Sequence, residues 1–453
     1  MQQNDITIGI LGLGHVGLPT AVGLASLGWK VYGYDNDETK TKTIKNGNAP
    51  FFENGLEELL ISTLNSKTFV VSDRLEETIS KSNVIFLCVG TPQSPDGSTD
   101  ISQITSAVKN IAIHSKSSKI VVEKSTVPVN TAHKMQVLLN EMTEKDCEIT
   151  MAANPEFLKE GTGLYDFFHP DRIVIGSEST QTAKILVDLY KPLLSLQENC
   201  STASIDSTHS RYILTDLNTA ELIKQSSNSF LATKISFINT VSDICDKVGA
   251  DVKLVAKGMG ADPRIGSSFL NAGVGYGGYC LPKDIESFVN VGKSYGVNMN
   301  IMDSVIEINE ARSAKILEKL TSALSSLSGK KVAIWGLSFK PNTDDVRGAP
   351  SIRLIRSLLK EGVFINAHDP KAIPEFQREI GGSYENINYL TDPLDAIEEA
   401  EALVLVTEWE EYKKIKINDI LQRLSKPNII DGRNFFDPRL MVSGGFNYYG
   451  SGT

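Results

Sequence analysis

The sequence has few cysteines and little positive charge, and each scarcity excludes a class of protein. The five cysteines are odd in number and widely spread, so we expect neither a disulfide framework nor a metal site. They are Cys88, Cys147, Cys200, Cys245 and Cys280. The formal net charge of -10 argues against a nucleic-acid-binding protein, because contacts with phosphates need clustered lysine and arginine.

Long apolar runs are also missing. No stretch is long and apolar enough to cross a bilayer, and residues 1–5 are polar and lead directly into a short apolar run. We therefore expect a cytoplasmic protein with no membrane partner. What is present is typical of a globular protein, with 41% hydrophobic and 22% charged residues. A length of 453 residues favours two or three domains over one core.

Short apolar runs alternate with helical stretches in the first part of the chain. Residues 6–11 and 29–34 predict strands, and residues 18–27 between them predict a helix. Further strands are predicted at 84–89, 119–122, 149–152 and 173–175. This alternation predicts a parallel sheet, and we place the first domain at residues 1–204.

The strand-to-helix junction after residue 11 carries a glycine motif. Gly12, Gly14 and Gly17 form the pattern Gly-x-Gly-x-x-Gly, which allows a tight turn and brings a pyrophosphate to a helix N-terminus. Alone the pattern is weak, since such glycines can merely close a turn. Asp35 at the end of the second strand strengthens it, because its carboxylate can bind a ribose hydroxyl. The same charge favours NAD over NADP, although Lys40 is close in sequence.

The rest of the chain predicts a helical region followed by a second α/β region. Residues 218–248 and 302–324 have apolar residues at helical spacing. Strands are then predicted at 331–335, 363–367, 402–406 and 428–430. The predicted fold is α/β, with two Rossmann-like parallel-sheet domains joined by a helical middle domain that contains a long helix. We place the middle domain at residues 205–326 and the last domain at 327–453.

Residues 271–284 read NAGVGYGGYCLPKD, a glycine-rich loop that ends in one cysteine. Cys280 lies near Lys283 and at a predicted helix start, and both features favour a reactive thiolate. A buried structural cysteine is the alternative, and this segment alone leaves both possibilities open.

Two further pairs of polar residues have helical spacing. Glu156 and Glu160 in NPEFLKEG would share a face if that segment were helical. Lys224 and Asn228 on the predicted long helix would offer a cation and an amide to one point in space. Each pair alone is more typical of a solvated helix face.

With these residues in place, the chain resembles the UDP-glucose/GDP-mannose dehydrogenase family, and within it the members that oxidise UDP-glucose. The resemblance covers nearly the whole length in the family's order. The matching segments are GLGHVGLP, VGTP, EKSTVPV, NPEFLKEGTGLYDFFHPDRIVIG, ELIKQSSNSFLATKISFIN, GYGGYCLPKD, GLSFKPNTDDVRGAPS and DGRNFFD. One departure is Tyr279, where many members have serine.

The resemblance implies a role for each matching residue. The implied catalytic residues are Cys280 as nucleophile, Lys224 and Asn228 as stabilisers of an oxyanion, Asp284 as support for the water or the lysine, and Thr126 and Glu156 in water and proton handling. The implied cofactor-binding residues are Gly12, Gly14, Val16, Gly17, Asp35, Lys40, Thr91, Thr126, Glu160 and Arg347. The implied substrate-binding residues are Glu156, Phe157, Leu158, Lys224, Asn228, Arg264, Tyr276, Gly277, Lys340 and Arg433.

The implied reaction is the NAD-dependent oxidation of a primary alcohol of UDP-glucose to a carboxylate through a thioester on Cys280. GDP-mannose or a UDP-N-acetylhexosamine is an alternative substrate, and a sensor without turnover is an alternative function. The resemblance also implies a homodimer or a larger homo-oligomer, in which Arg264 reaches the sugar of a neighbouring subunit.

Overall fold

The computed structural model describes residues 6–143, 147–198, 211–382 and 384–453. The chain forms two compact units, Met1–Ser227 and Asn228–Thr453. The division falls within a 32-residue helix, α9 (Leu217–Val248), which confirms the predicted long helix at 218–248. Cys200 and the predicted boundary at residue 204 lie outside the described residues, and the three predicted domain ranges stay a prediction.

Within its described residues, the first unit is built on an eight-stranded sheet. The strands are β1 (Thr7–Leu11), β2 (Lys30–Tyr34), β3 (Phe69–Val71), β4 (Val84–Leu87), β5 (Lys119–Glu123), β6 (Ile149–Ala153), β7 (Ile173–Gly176) and β8 (Tyr212–Thr215). Their order is β3-β2-β1-β4-β5-β6-β7-β8. Neighbouring strands are parallel except β6 and β7, which pair antiparallel through Ala153 and Gly176. The predicted parallel sheet is confirmed with that exception.

Helices cover both faces of this sheet. They are α1 (Gly17–Ser26), α2 (Glu38–Lys45), α3 (Leu56–Asn65), α4 (Leu75–Lys81), α5 (Ser102–His114), α6 (Thr131–Met142), α7 (Gly163–Phe168) and α8 (Thr180–Glu198). Successive side chains of a strand point to opposite faces. In β4, Val84 and Phe86 therefore join one buried cluster, and Ile85 and Leu87 join another. Burial on both faces explains why such strands are continuous apolar runs in the sequence.

The second unit contains a six-stranded parallel sheet in its described residues. The strands are β9 (Lys331–Trp335), β10 (Phe364–His368), β11 (Ile387–Tyr389), β12 (Ala402–Leu405), β13 (Asn428–Asp431) and β14 (Asn447–Tyr449). Their order is β11-β10-β9-β12-β13-β14, and every neighbouring pair is parallel. The predicted second Rossmann-like sheet is confirmed.

Helices also form the part of the second unit that precedes β9. The helices of this unit after α9 are α10 (Val252–Gly260), α11 (Cys280–Ser294), α12 (Asn300–Leu324), α13 (Pro350–Lys360), α14 (Ile373–Ile380), α15 (Pro393–Ile397), α16 (Ile417–Arg423) and α17 (Pro438–Ser443), with a 3-10 helix at Glu410–Lys414. The predicted helical middle is confirmed. No described helix has an apolar stretch long enough to cross a bilayer.

Candidate active site

The glycine motif forms the turn between β1 and α1. Gly12 has a φ of 92°, in the region that favours glycine, and its N–H donates to the carbonyl of Tyr34 at 2.8 Å. A Cβ on Gly12 would lie 2.5 Å from the Cys88 carbonyl oxygen, and one on Gly17 would lie 1.8 Å from the Gly12 carbonyl oxygen. A Cβ on Gly14 would meet no atom within 4 Å. The turn is therefore closed on its inner side and open at Gly14, as a dinucleotide requires.

Asp35 closes the same turn from β2. Its Oδ2 accepts from the Leu13 N–H at 2.7 Å and from Lys40 Nζ at 2.9 Å, and its Oδ1 accepts from the Asp37 N–H at 3.0 Å. Lys40 lies on α2 and is partly exposed. The predicted cofactor residues Gly12, Gly14 and Asp35 therefore lie together, with Lys40 as a counter-ion of Asp35. Val16 is the N-cap residue of α1.

Thr91 follows β4 and Thr126 follows β5, and these two predicted residues are in contact. Thr91 donates from its hydroxyl to the carbonyl of Thr126 at 2.9 Å, and Thr91 is buried. Glu160 lies in the turn before α7 and is half-buried. The structure thus joins Thr91 to Thr126 directly, and Thr126 also lines a small cavity with Lys224.

The NPEFLKEG segment is a loop between β6 and α7, so the helical face suggested for Glu156 and Glu160 does not form. Local bonds orient Glu156 instead. Its Oε1 lies 2.9 Å from Lys224 Nζ, and its Oε2 accepts from the Leu158 N–H at 2.6 Å. Both Glu156 and Lys224 have side chains that are only 5% exposed. Glu156 and Lys224, which the sequence pattern placed in two separate pairs, therefore form a buried ion pair.

The loop that carries Glu156 is also held by residues to which the sequence assigned no role. Asn154 accepts from Lys124 Nζ at 3.1 Å and from the Tyr190 hydroxyl at 2.6 Å, and its Nδ2 donates to the Val174 carbonyl at 2.7 Å. Burial lowers the pKa of Lys124 to about 8, while the nearby Cys88 opposes this shift. Lys124 lies in the EKSTVPV segment, but nothing in that segment alone marks it as a buried ligand of Asn154.

Two cations of the first unit lie close to the ring of Phe157. The guanidinium carbon of Arg172 lies 3.7 Å from the centre of its ring, and Lys224 Nζ lies 5.3 Å from that centre. Such contacts are attractive because the ring face carries negative charge. Arg172 was missed, although it belongs to the matching HPDR sequence. Burial lowers the pKa of Arg172, and Asp171 opposes the shift.

Cys280 is the first residue of α11, as predicted, and Tyr279 is its N-cap residue. A thiolate at a helix N-terminus is stabilised by the helix dipole and the N–H groups there. Burial raises the pKa of the Cys88 thiol to about 12, and Cys147 and Cys245 are buried. Cys280 and Cys88 are both half-buried, and Cys280 differs from Cys88 because it lies at the start of a helix.

Asp284, one turn into α11, binds two other site residues of the second unit. Its Oδ2 accepts from Asn228 Nδ2 at 2.6 Å, and its Oδ1 accepts from Lys283 Nζ at 2.7 Å. All three side chains are buried. Because a carboxylate only accepts hydrogen bonds, Asp284 fixes which end of the Asn228 amide faces it. Lys283 is ion-paired with Asp284, and the helix start can stabilise a Cys280 thiolate.

The glycine-rich loop before Cys280 is held by polar side chains that the sequence did not single out. Asn309 accepts from the Tyr276 N–H at 2.8 Å and donates to the Tyr276 carbonyl at 3.1 Å. A Cβ on Gly275 would lie 2.3 Å from Asn309 Oδ1, so only glycine fits there. A Cβ on Gly277 would lie 2.6 Å from the Gly348 carbonyl oxygen. The predicted substrate residues Tyr276 and Gly277 therefore lie in a tightly packed backbone.

The arginines and the lysine predicted to bind substrate or cofactor in the second unit each have their own partners. Arg433 donates to the carbonyls of Val406 at 2.7 Å, Phe339 at 2.9 Å and Gly275 at 3.2 Å. Lys340 lies 5.4 Å from the centre of the Phe339 ring. Arg347 forms a two-pronged ion pair with Asp345 and stacks on Tyr279, and the exposed Arg264 pairs with Asp262.

Comparison with known proteins gives these features a context. The NAD binding domain of the UDP-glucose/GDP-mannose dehydrogenase family matches residues 6–194, its central domain matches residues 218–311, and its UDP binding domain matches residues 333–438. The UDP-glucose 6-dehydrogenase TuaD of Bacillus subtilis (strain 168) is 38% identical over 98% of this chain and 93% of its own length. The YwqF enzyme of the same organism, also a UDP-glucose 6-dehydrogenase, is 39% identical over 99% of this chain and 98% of its own.

Two solved structures are similar along the whole chain. A UDP-glucose dehydrogenase from the archaeon Pyrobaculum islandicum has a TM-score of 0.89 and 33% identity, with 100% of this chain and 99% of that chain covered. A UDP-D-ManNAc dehydrogenase from Pyrococcus horikoshii has a TM-score of 0.84 and 27% identity, with 99% of each chain covered.

Proposed function

Because the chain belongs to the UDP-glucose/GDP-mannose dehydrogenase family and is an NAD-dependent dehydrogenase, we propose that it oxidises UDP-glucose to UDP-glucuronate. Support for this substrate comes from relatives named UDP-glucose 6-dehydrogenase at 38% and 39% identity over nearly the full length. The observation that carries the chemistry is Cys280 at the first position of the fifteen-residue helix α11. One NAD would accept the hydride of the first oxidation, and a second NAD, bound after the NADH has left, would accept the hydride of the second.

Residues of the first unit fit the dinucleotide. The open space at Gly14 admits a pyrophosphate, and the start of α1 offers N–H groups to its charge. Asp35 is held at the end of β2, where it would accept a hydrogen bond from a ribose hydroxyl. We propose that Val16, Gly17, Lys40, Thr91, Thr126, Glu160 and Arg347 complete this set.

The proposed route uses a covalent bond to Cys280. After the first oxidation, the Cys280 sulfur adds to the aldehyde carbon, and the carbonyl oxygen becomes the hydroxyl of a thiohemiacetal. Loss of a second hydride and the hydroxyl proton leaves a thioester, which water cleaves to the carboxylate and the free thiol. A substrate bound covalently stays in place for the second oxidation, so one difficult step is divided into easier ones.

Lys224 and Asn228 are proposed to donate to the oxygen that becomes negative in these steps. Asp284 binds one N–H of the Asn228 amide, which leaves the second N–H for the substrate. We propose that Glu156, ion-paired with Lys224, and Thr126 hold the water and accept protons. Phe157, Leu158, Tyr276, Gly277, Lys340 and Arg433 are proposed to contact the nucleotide sugar.

Purified protein mixed with NAD and a panel of sugars tests the function. We expect two NADH for each UDP-glucose consumed, measured by absorbance, and much slower turnover of GDP-mannose and UDP-N-acetylhexosamines. One NADH for each sugar would contradict the four-electron reaction. Faster turnover of another nucleotide sugar would move the proposal to that substrate, and no NADH with any of them would favour a sensor.

We also propose a homodimer through the second unit. Phe230, Phe237, Ile244 and Val248 are spaced along one side of α9 and are each more than half exposed. Such a stripe of large apolar residues is unusual on a monomer's surface. The exposed Arg264 could then serve a neighbouring subunit, as the resemblance implies. Light scattering should show a dimer or a larger assembly, and Phe237→Glu should weaken it; a monomeric parent protein would contradict this.

A further inference from the structure

Two buried carboxyl groups lie beside the proposed site and have no role in the route above. Glu123 is the last residue of β5, and Glu221 lies on α9, one turn before Lys224. They are 2% and 3% exposed. Both line the small cavity that Thr126 and Lys224 also line. The pair is therefore adjacent to two proposed catalytic residues.

Glu221 has good partners for a negative charge. Its Oε2 accepts from the Asn130 N–H at 2.6 Å, and its Oε1 accepts from the Ala132 N–H at 2.7 Å. Both N–H groups belong to the start of the twelve-residue helix α6. Such a helix start stabilises a carboxylate by its dipole and its unpaired donors. Glu221 therefore binds α9 to α6 as an ionised group.

Glu123 has no such partners. Among the described residues, no cation lies within ion-pair distance of its carboxyl group, and its Oε2 accepts no hydrogen bond. A buried carboxylate without donors is too costly to persist, so the group must carry a proton. Burial raises the pKa of Glu123 well above its usual value, and the negative charge of the neighbouring Glu221 raises it further.

The two carboxyl groups therefore share one proton, and the donors decide where it lies. Burial also raises the pKa of Glu221, but the N–H groups of Ala132 and Asn130 oppose that shift. The proton accordingly resides on Glu123. In the described part of the chain, the titratable side chains beside the pair are Lys224, which lines the same cavity, and His133 on α6.

We propose that Glu123 is a positioning residue for the oxidation: as a neutral acid it donates a hydrogen bond to the ionised Glu221 and thereby holds the turn of α9 that carries Lys224. The inference rests on the proposed function, because Lys224 matters only if it contacts the reacting oxygen. Glu123 itself touches neither substrate nor cofactor in this scheme.

Two variants test whether Glu123 acts by donating a hydrogen bond or only by filling space. Glu123→Gln keeps the size and a neutral hydrogen-bond donor but cannot ionise, whereas Glu123→Leu keeps a similar size without a donor. We expect Glu123→Gln to retain kcat within about twofold and the pH profile of the parent protein. We expect Glu123→Leu to lower kcat about tenfold with little change in KM for NAD, since it loses a hydrogen bond to a charged group.

An infrared spectrum of the resting protein tests the protonation without any turnover. At about pH 7 to 8 ordinary glutamates are ionised, so a carbonyl stretch from a protonated carboxylic acid should be visible and should be missing in Glu123→Gln. The infrared measurement tests the protonation of Glu123 even if the protein acts on another substrate or Glu123→Leu fails to fold. The proposal is overturned if the parent protein lacks the band, or if Glu123→Gln loses as much kcat as Glu123→Leu.

Discussion

The two sheets begin with the same turn, built from a glycine, a leucine and an aspartate in each unit. Gly12 after β1 and Gly336 after β9 have φ values of 92° and 93°. Their N–H groups donate to the carbonyls of Tyr34 and His368, the last residues of β2 and β10. The aspartate that follows each of those strands accepts from the residue after the glycine, at 2.7 Å in both cases. The strand order around the turn is also the same.

The two turns differ in what surrounds the aspartate. Asp369 Oδ2 accepts from Leu337 and Ser338 N–H groups, from the Ser338 hydroxyl and from Trp409 Nε1, and its Oδ1 accepts from two further N–H groups. Asp35 instead meets Lys40, which is partly exposed. The connection to the next helix spans residues 12–16 in the first unit and 336–349 in the second. Asp369 accepts six hydrogen bonds and Asp35 accepts three, so the carboxylate of Asp35 has more capacity for a further hydrogen bond from a ligand.

The largest expected effect is on turnover, from a substitution in the second unit that should leave NAD binding by the first unit unchanged. Cys280→Ser should lower turnover by several orders of magnitude, because a hydroxyl without an activating base is a poor nucleophile. NAD affinity, measured by calorimetry, should stay unchanged. Cys147→Ser is the control, since a hydroxyl can keep the bond to the Ser117 carbonyl. Normal turnover in Cys280→Ser would exclude the thioester route.

Lys224→Met, a substitution in the first unit, should have the next largest effect on turnover. We expect kcat to fall by about 10²–10³, the usual cost of removing a donor to a developing oxyanion. Lys159→Met is the matched control, because Lys159 lies in the same loop as Glu156 but is itself exposed and pairs with Asp166. Equal kinetic losses in both variants would remove Lys224 from the mechanism.

A matched pair of substitutions tests the comparison of the two turns directly. Asp369→Asn should lower the free energy of unfolding by about 2–4 kcal/mol, because buried N–H donors lose a charged acceptor. Asp35→Asn should instead raise KM for NAD about tenfold and weaken discrimination against NADP. Thermal unfolding and steady-state kinetics measure the two outcomes. If Asp369→Asn changed KM for NAD while Asp35→Asn changed only stability, the assignment would be reversed.

The smallest expected effect concerns the pH dependence of stability. The folded pKa of Glu123 is raised, so its contribution to stability is fully present below the unfolded pKa of about 4.3 and is lost as the pH rises toward the folded value. Glu123→Gln cannot ionise and should escape this loss. Its melting temperature should exceed that of the parent protein at pH 8 by more than at pH 5. A constant difference would argue that Glu123 is ionised in the folded state.

Much of the fold was predictable because the apolar runs in the sequence coincide with the strands that are buried in the structure. Strands buried on both faces, such as β1 and β9, are continuous apolar runs. Short strands such as β3 and β8 were missed, since three or four residues, half-exposed in β8, carry no clear period. The helix start at Cys280 was predicted from the glycine loop before it. The loop conformation around Glu156 was not, because helical spacing between two glutamates cannot reveal that a distant lysine and a local N–H orient one of them.

The two sheets, the long helix, the glycine turn and the identity of the chemical groups follow from the amino-acid sequence, because these depend on residue type and short-range spacing. The partners and the burial of those groups follow from the folded structure. Oδ1 of Asn309 occupies the space that a Cβ on Gly275 would need. Glu221 accepts from two N–H groups at the start of α6, whereas Oε2 of the buried Glu123 accepts no hydrogen bond. Such properties arise from burial and from partners far apart in the chain, which no local pattern records.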